Sequence, residues 1–410
     1  MTVEQGAEHA RTGGFGDCAC NAGKVVIGLC IHGSFAGEML VLVFQDTAYS
    51  FRLPEKFMHE VIAAISSTDP YPYYAFLARS PCLVWQDGLW IAARPELVRE
   101  VMTHPACRVR PVEEPVPAAL VGGSAGDVFG ALVRMNDGAR HAAGKAALQR
   151  ALANVPLDEV HATAGRIARE AWDECAGADG VSAAAVTRWM MEVPVRSVAS
   201  LLGFRDAQLS EISLLAGRFV ACLSPQSSAA QIEAAHGAVE ELLAAFDTML
   251  RSQRGDSEDE HAILANLVGL LSQTYEATAG LVGNTLVALQ RGAPWPQRQE
   301  DALALVREVA QRDPVVQNTR RFVAEDAHIS GVDVKKGDVI LVVLAAGGAP
   351  FGHGAHKCPG QAMAETIAAA AIGVIPTLPA LSSLLEKPGS LAWRYRASVN
   401  ARIPEFMEAI

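Results

Sequence analysis

Ten residues, Phe351-Gly-His-Gly-Ala-His-Lys-Cys358-Pro-Gly360, constrain this chain more than any other stretch: they set one cysteine in a glycine-rich loop just before a long Ala-rich apolar run. Glycine permits sharp turns and close approach that other residues forbid, so such a loop can offer its sulfur to something bulky. A haem iron is the natural candidate. Backbone N–H groups at a helix start and coordination to a cation would both hold Cys358 as a thiolate.

The chain around this loop has the means to enclose a cofactor. Half of its 410 residues are hydrophobic, enough for one helix-rich domain with a large core. The formal net charge of -11, with no basic stripe, argues against a nucleic-acid partner. Eight cysteines scattered over this length fit a reducing cytoplasm, without disulfides. The apolar stretch 25–44 is broken by three glycines and contains His32 and Glu38, which argues against a membrane span. Cys18, Cys20, Cys30 and His32 do not have a usual zinc spacing. Residues 1–55 read as an atypical N-terminal extension and residues 56–410 as the functional domain.

The pattern Phe351-x-x-Gly354-x-His356-x-Cys358-x-Gly360 resembles the haem-binding loop of the cytochrome P450 superfamily, in which the cysteine is the axial iron ligand. The resemblance extends from residue 69 to about 405. It implies a mainly α fold with small β regions, the haem lying between a central oxygen-activating helix and the helix that follows the cysteine loop. It also implies haem b as cofactor, with Phe351, Gly352, His356, Cys358 and Gly360 around it and Cys358 as the metal ligand. Electrons would come from NAD(P)H through a ferredoxin and ferredoxin reductase type of donor. The implied activity is monooxygenation of a small organic molecule by a soluble, cytoplasmic enzyme.

Other segments carry the same resemblance with departures. His141 and Lys145 are four apart and share one helix face; they match a propionate-binding His-x-x-x-Arg pair, with lysine losing the bidentate fork. Arg320 matches a propionate-binding arginine. Residues 262–289 predict the central helix, where Glu276 matches the acid that relays protons to oxygen. Ala277 occupies the usual threonine position and Thr278 stands one residue too far, 100 degrees around the helix. A hydroxyl on the substrate would then order the relay water. Phe219, Val220 and Leu223 are candidates for the pocket roof or for plain core.

The proximal half departs further. Glu308-Val-Ala-Gln311 stands for the family's Glu-x-x-Arg pair, and a buried glutamate left without its arginine is costly. Either Arg312 reaches in or a Glu–Gln hydrogen bond suffices. The chain passes from Leu344 to Phe351 without the family's meander. These departures motivate two alternatives, a peroxide-using haem-thiolate enzyme and a catalytically impaired haem-binding remnant. Alternating apolar residues further predict one hairpin around Asp87-Gly88 and another within 328–343.

Overall fold

Turn residues divide the chain into short β segments and long helices, and the computed structural model describes residues 60–224, 226–251, 260–386 and 389–408. The proposed extension 1–55, with its cysteines and apolar stretch, lies outside the described residues. The helices are α1 (Glu60–Ile65), α2 (Tyr71–Leu77), α3 (Pro95–Thr103), α4 (Ser124–Ala131), α5 (Gly138–Ala153), α6 (Leu157–Asp179), α7 (Ala183–Leu202), α8 (Asp206–Ala221), α9 (Ala229–Arg251), α10 (Glu260–Gln290), α11 (Gln299–Arg312), α12 (Gln361–Val374) and α13 (Pro379–Leu385). The strands are β1 (Val84–Gln86), β2 (Leu89–Ala92), β3 (Cys107–Arg108), β4 (Thr319–Val323), β5 (Ala327–Ile329), β6 (Val332–Val334), β7 (Val339–Val342), β8 (Leu391–Tyr395) and β9 (Pro404–Glu408).

The first hairpin forms as the alternation predicts. Asp87 and Gly88 both take positive φ, 49° and 82°, the geometry a two-residue turn needs to match the twist of β1 and β2. The second differs from expectation. The chain turns at Ser330-Gly331 to pair β5 with β6, and the apolar residues beyond Gly337 become β7 of another sheet. There β7 runs parallel to β2 and antiparallel to β4, giving the order β1-β2-β7-β4-β3.

Helix α10 is the axis of the molecule. Buried residues on several of its sides, including Ala265, Leu271, Val282 and Leu286, divide between two core clusters, so it is enclosed rather than amphipathic. Its glycines let the segment after α11 and the start of β9 approach: a Cβ on Gly280 would lie 2.5 Å from Val315, and one on Gly283 would lie 2.6 Å from Pro404. The stretch Gly354–Thr377, which contains α12, is apolar enough to cross a membrane by length and composition. Its residues Ile367 to Ile372 are buried between the same two clusters, which accounts for that composition. Phe219 and Val220 are core residues of α8, and Leu223 packs against the same cluster.

The end of α11 answers what becomes of Glu308. It stays on the surface and pairs with Arg312 at 3.0 Å, both side chains exposed. The buried pair forms elsewhere. Arg402 is fully buried and donates to Asp313 at 2.9 Å and to the carbonyls of Ile65 and Ser67 at 2.9 and 2.6 Å. Tyr71 and Tyr395 also donate to Asp313, and the Arg402 guanidinium stacks 3.5 Å from the Tyr395 ring centre. This network joins the N-terminal helices to the last strand through the loop after α11.

Candidate haem-thiolate site

Between β7 and the cysteine the chain takes a short route of consecutive turns, held by Gly347 N–H to Val343 and Ala349 N–H to Leu344. Gly347 sits so close to α3 that a Cβ would lie 2.6 Å from Val98. The loop then uses two glycines that no other residue could replace without strain. Gly352 and Gly354 have φ of 74° and 63°, and a Cβ on Gly354 would lie 2.7 Å from Thr103 at the end of α3. Phe351 packs into the core, and its carbonyl accepts from the Cys358 N–H at 2.8 Å. Gly360 precedes α12, and its N–H reaches the cysteine sulfur.

Cys358 is exposed to a groove of about 760 Å³ lined by residues of α5, α11 and α12, among them His141, Lys145, Arg307 and Glu365. Burial by its loop pushes the thiol up, opposed by the Gly360 N–H, Lys145 and Lys357 and reinforced by Glu365. The helix start alone therefore does not make a thiolate here. A bound cation would have to supply the rest.

Three groups expected beside a haem converge on this loop. The His141 and His356 rings lie 4.0 Å apart, and the Lys145 ammonium donates to Ala355 O at 2.6 Å and to Lys357 O. Burial, His356 and Lys145 push the buried His141 imidazole down to about 4. A His356 nitrogen lies 3.2 Å from Asp137 just before α5, and Asp137 also accepts the Val109 N–H. Against burial, those bonds and the nearby Arg108 keep the Asp137 carboxyl below the usual range. Glu365, buried at the start of α12, is held by Arg307 and Gln361, each at 2.8 Å.

Arg320 is half-buried on β4, near Arg110. Its neighbour Arg321 is the buried guanidinium whose partner charge is Asp137. Adjacent strand residues point to opposite faces, so the sheet register decides which arginine lies near Asp137. Asp137 and Arg321 escaped the sequence reading. The signal for Asp137 was its position immediately before the helix carrying His141.

On α10, Glu276 is half-buried and its carboxyl is raised by burial, against the pull of Arg396 and Arg134. Thr278 is 4% exposed and the helix continues unbroken through it, so no bulge carries its hydroxyl round to the face of Ala277. Gln273 and Thr274 bond back to the carbonyls of Gly269 and Leu270.

No known family profile matches the chain. It is 25% identical over 222 residues to the vitamin D(3) 25-hydroxylase of Pseudonocardia autotrophica, covering 45% of this chain and 55% of that protein. It is 24% identical over 248 residues to cytochrome P450 107B1 of Saccharopolyspora erythraea, covering 51% and 61%. The chain thus spans under two thirds of the length of these relatives. Among solved structures, P450BioI in complex with hexadec-9Z-enoic acid ligated acyl carrier protein matches 86% of this chain and 98% of its own, at a TM-score of 0.67 and 17% identity. The fold and the loop that carries Cys358 are thus similar to those of cytochrome P450 proteins.

Proposed function

We propose that residues 56–410 form a haem-thiolate monooxygenase that oxidises a small organic molecule. The observation that carries this reading is the convergence of His141, Lys145 and His356 at the loop of Cys358. The donor set fits haem b: a thiol open to a groove, and cations and imidazoles suited to carboxylate propionates. Cys358 would be the iron ligand, and His141, His356 and Arg321 would hold the propionates. Bound haem would supply dioxygen activation.

The protein's own groups fill supporting parts. Lys145 fixes the loop through two of its carbonyls, so the sulfur keeps one position. Glu276, its carboxyl raised by burial, holds its proton more readily than an ordinary glutamate and is suited to pass one on through water. Ala277 offers no hydroxyl, so a substrate hydroxyl takes that place in the relay. Electrons come from a ferredoxin-type donor, itself reduced by NAD(P)H through a reductase.

Ala277 also favours a second reading, in which peroxide replaces dioxygen and the electron donor. Purified protein given NADPH, ferredoxin and ferredoxin reductase under isotopically labelled dioxygen separates the two. The monooxygenase reading expects labelled oxygen in product. Turnover with peroxide alone, and none with the donor chain, supports the second and overturns the first.

A further inference from the structure

Helix α12 carries a single charged residue, and it is buried. Along Gln361–Val374 only Glu365 can ionise, and it is 4% exposed. A buried carboxylate is costly unless its oxygens are met. Here they are met from two sides: the Gln361 amide donates to Oε1 and the Arg307 guanidinium to Oε2, each at 2.8 Å. Gln361 stands one turn earlier on the same helix, whereas Arg307 reaches over from α11. The pair is lopsided, with 6% of the acid side chain exposed against 57% of the arginine's.

This ion pair borders the cysteine. Arg307, Gln361 and Glu365 line the groove of about 760 Å³ onto which Cys358 opens, and Glu365 is the one acid in that lining. The path to the sulfur is short. The Gly360 N–H reaches it, and a helix rise of about 1.5 Å per residue puts Glu365 about 7–8 Å further along α12. Lys145 holds the loop before the cysteine through the carbonyls of Ala355 and Lys357, and the Arg307–Glu365 pair holds the helix that follows it. Glu308, the next residue of α11, pairs within its own helix with Arg312, so the two neighbours do different work. Glu365 also helps push the Cys358 thiol up, as a negative charge does beside a group that must itself become negative.

We propose that Arg307 is a positioning residue for the haem-thiolate reaction: through Glu365 it ties the start of α12, and with it Cys358, to α11, and it neutralises the one carboxylate of the cysteine groove. Removing the arginine and removing the acid then have opposite consequences. Without Arg307, Glu365 keeps one hydrogen bond and an unpaired charge in a buried place. Without the charge of Glu365, Arg307 is left in water, where an exposed guanidinium loses little. Negative charge near the iron disfavours the reduced state, so the reduction potential falls in the first case and rises in the second. This inference rests on the haem-thiolate reading and adds to it a residue that acts on the sulfur from outside the loop.

Redox titration of haem-loaded protein, together with the rate of haem release, tests it in Arg307→Gln, Glu365→Gln and the double variant. Arg307→Gln lowers the potential and speeds haem release about tenfold, the size of one lost charge-assisted hydrogen bond. Glu365→Gln raises the potential and leaves release nearly unchanged, and the double variant brings the potential back toward that of the unaltered protein. Arg307→Lys, which keeps the charge without the Nε donor, restores the potential more fully than the release. An unmoved potential in both single variants, or equal loss of haem from both, marks a merely structural pair and overturns the proposal. The tie is also read without haem: amide hydrogen exchange over 354–364 in the haem-free chain quickens severalfold in Arg307→Gln and is unchanged at β8 and β9, and no change over 354–364 overturns the proposal. A reduced carbon monoxide complex without the thiolate band sinks the oxygenase reading separately, while the exchange measurement still decides the tie.

Discussion

Two ion pairs at the end of α11 have the same chemistry and opposite surroundings. Glu308 and Arg312 meet at 3.0 Å in solvent, whereas Asp313 and Arg402 meet at 2.9 Å among two tyrosines and three backbone carbonyls. A solvated pair gains little after screening and side-chain entropy, while a buried charge stripped of its partner is expensive. The difference explains how the chain tolerates Gln311. The glutamate that lost its arginine is kept in water, and the buried anchor has moved to the next loop, where it ties α1 and α2 to the strand hairpin at the C-terminal end.

The comparison breaks most visibly at Arg402. Arg402→Ala leaves the half-buried Asp313 without its guanidinium and three carbonyls unmet, and a loss of about 3 kcal/mol is expected in chemical denaturation. A loss comparable to that of a surface substitution would mean the network is not an anchor. The next effect belongs to His141. Its pKa is depressed from 6.5 to about 4 in the folded chain, so the unfolded chain binds more protons between those values. Stability of haem-free protein is therefore full above pH 6.5 and falls as pH drops toward 4, by on the order of 2–3 kcal/mol. His141→Gln should remove that slope.

Smaller effects sharpen the contrast. Lys145→Ala frees the carbonyls of Ala355 and Lys357, and haem retention is expected to weaken about tenfold, with little change in the unfolding midpoint of the haem-free chain. Glu308→Ala should cost under about 0.5 kcal/mol. If Glu308→Ala matched Arg402→Ala, the anchor would not have moved.

What the sequence revealed follows from how far each feature reaches. The cysteine loop was legible because its glycines, histidine and cysteine are local, and because positive φ at Gly352 and Gly354 demands glycine. His141 and Lys145 were legible as a pair because helix spacing puts them on one face. Arg320 and Arg321 were not separable, since a one-residue step along a strand exchanges the faces and the partner Asp137 comes from another element. Arg402 was invisible for a stronger reason: its acid lies 89 residues away, and nothing in either neighbourhood announces the other. The continuous helix through Thr278 agreed with plain periodicity, which left Ala277 as a true departure.

The central claim is that Cys358 presents its sulfur to a haem iron despite the altered supports around it. Carbon monoxide added to the reduced, purified protein tests it most directly, with Cys358→Ser measured alongside. The account predicts the strongly red-shifted Soret band of thiolate-ligated haem in the unaltered protein and its absence in Cys358→Ser. An unshifted band, or no haem at all in the unaltered protein, would contradict it.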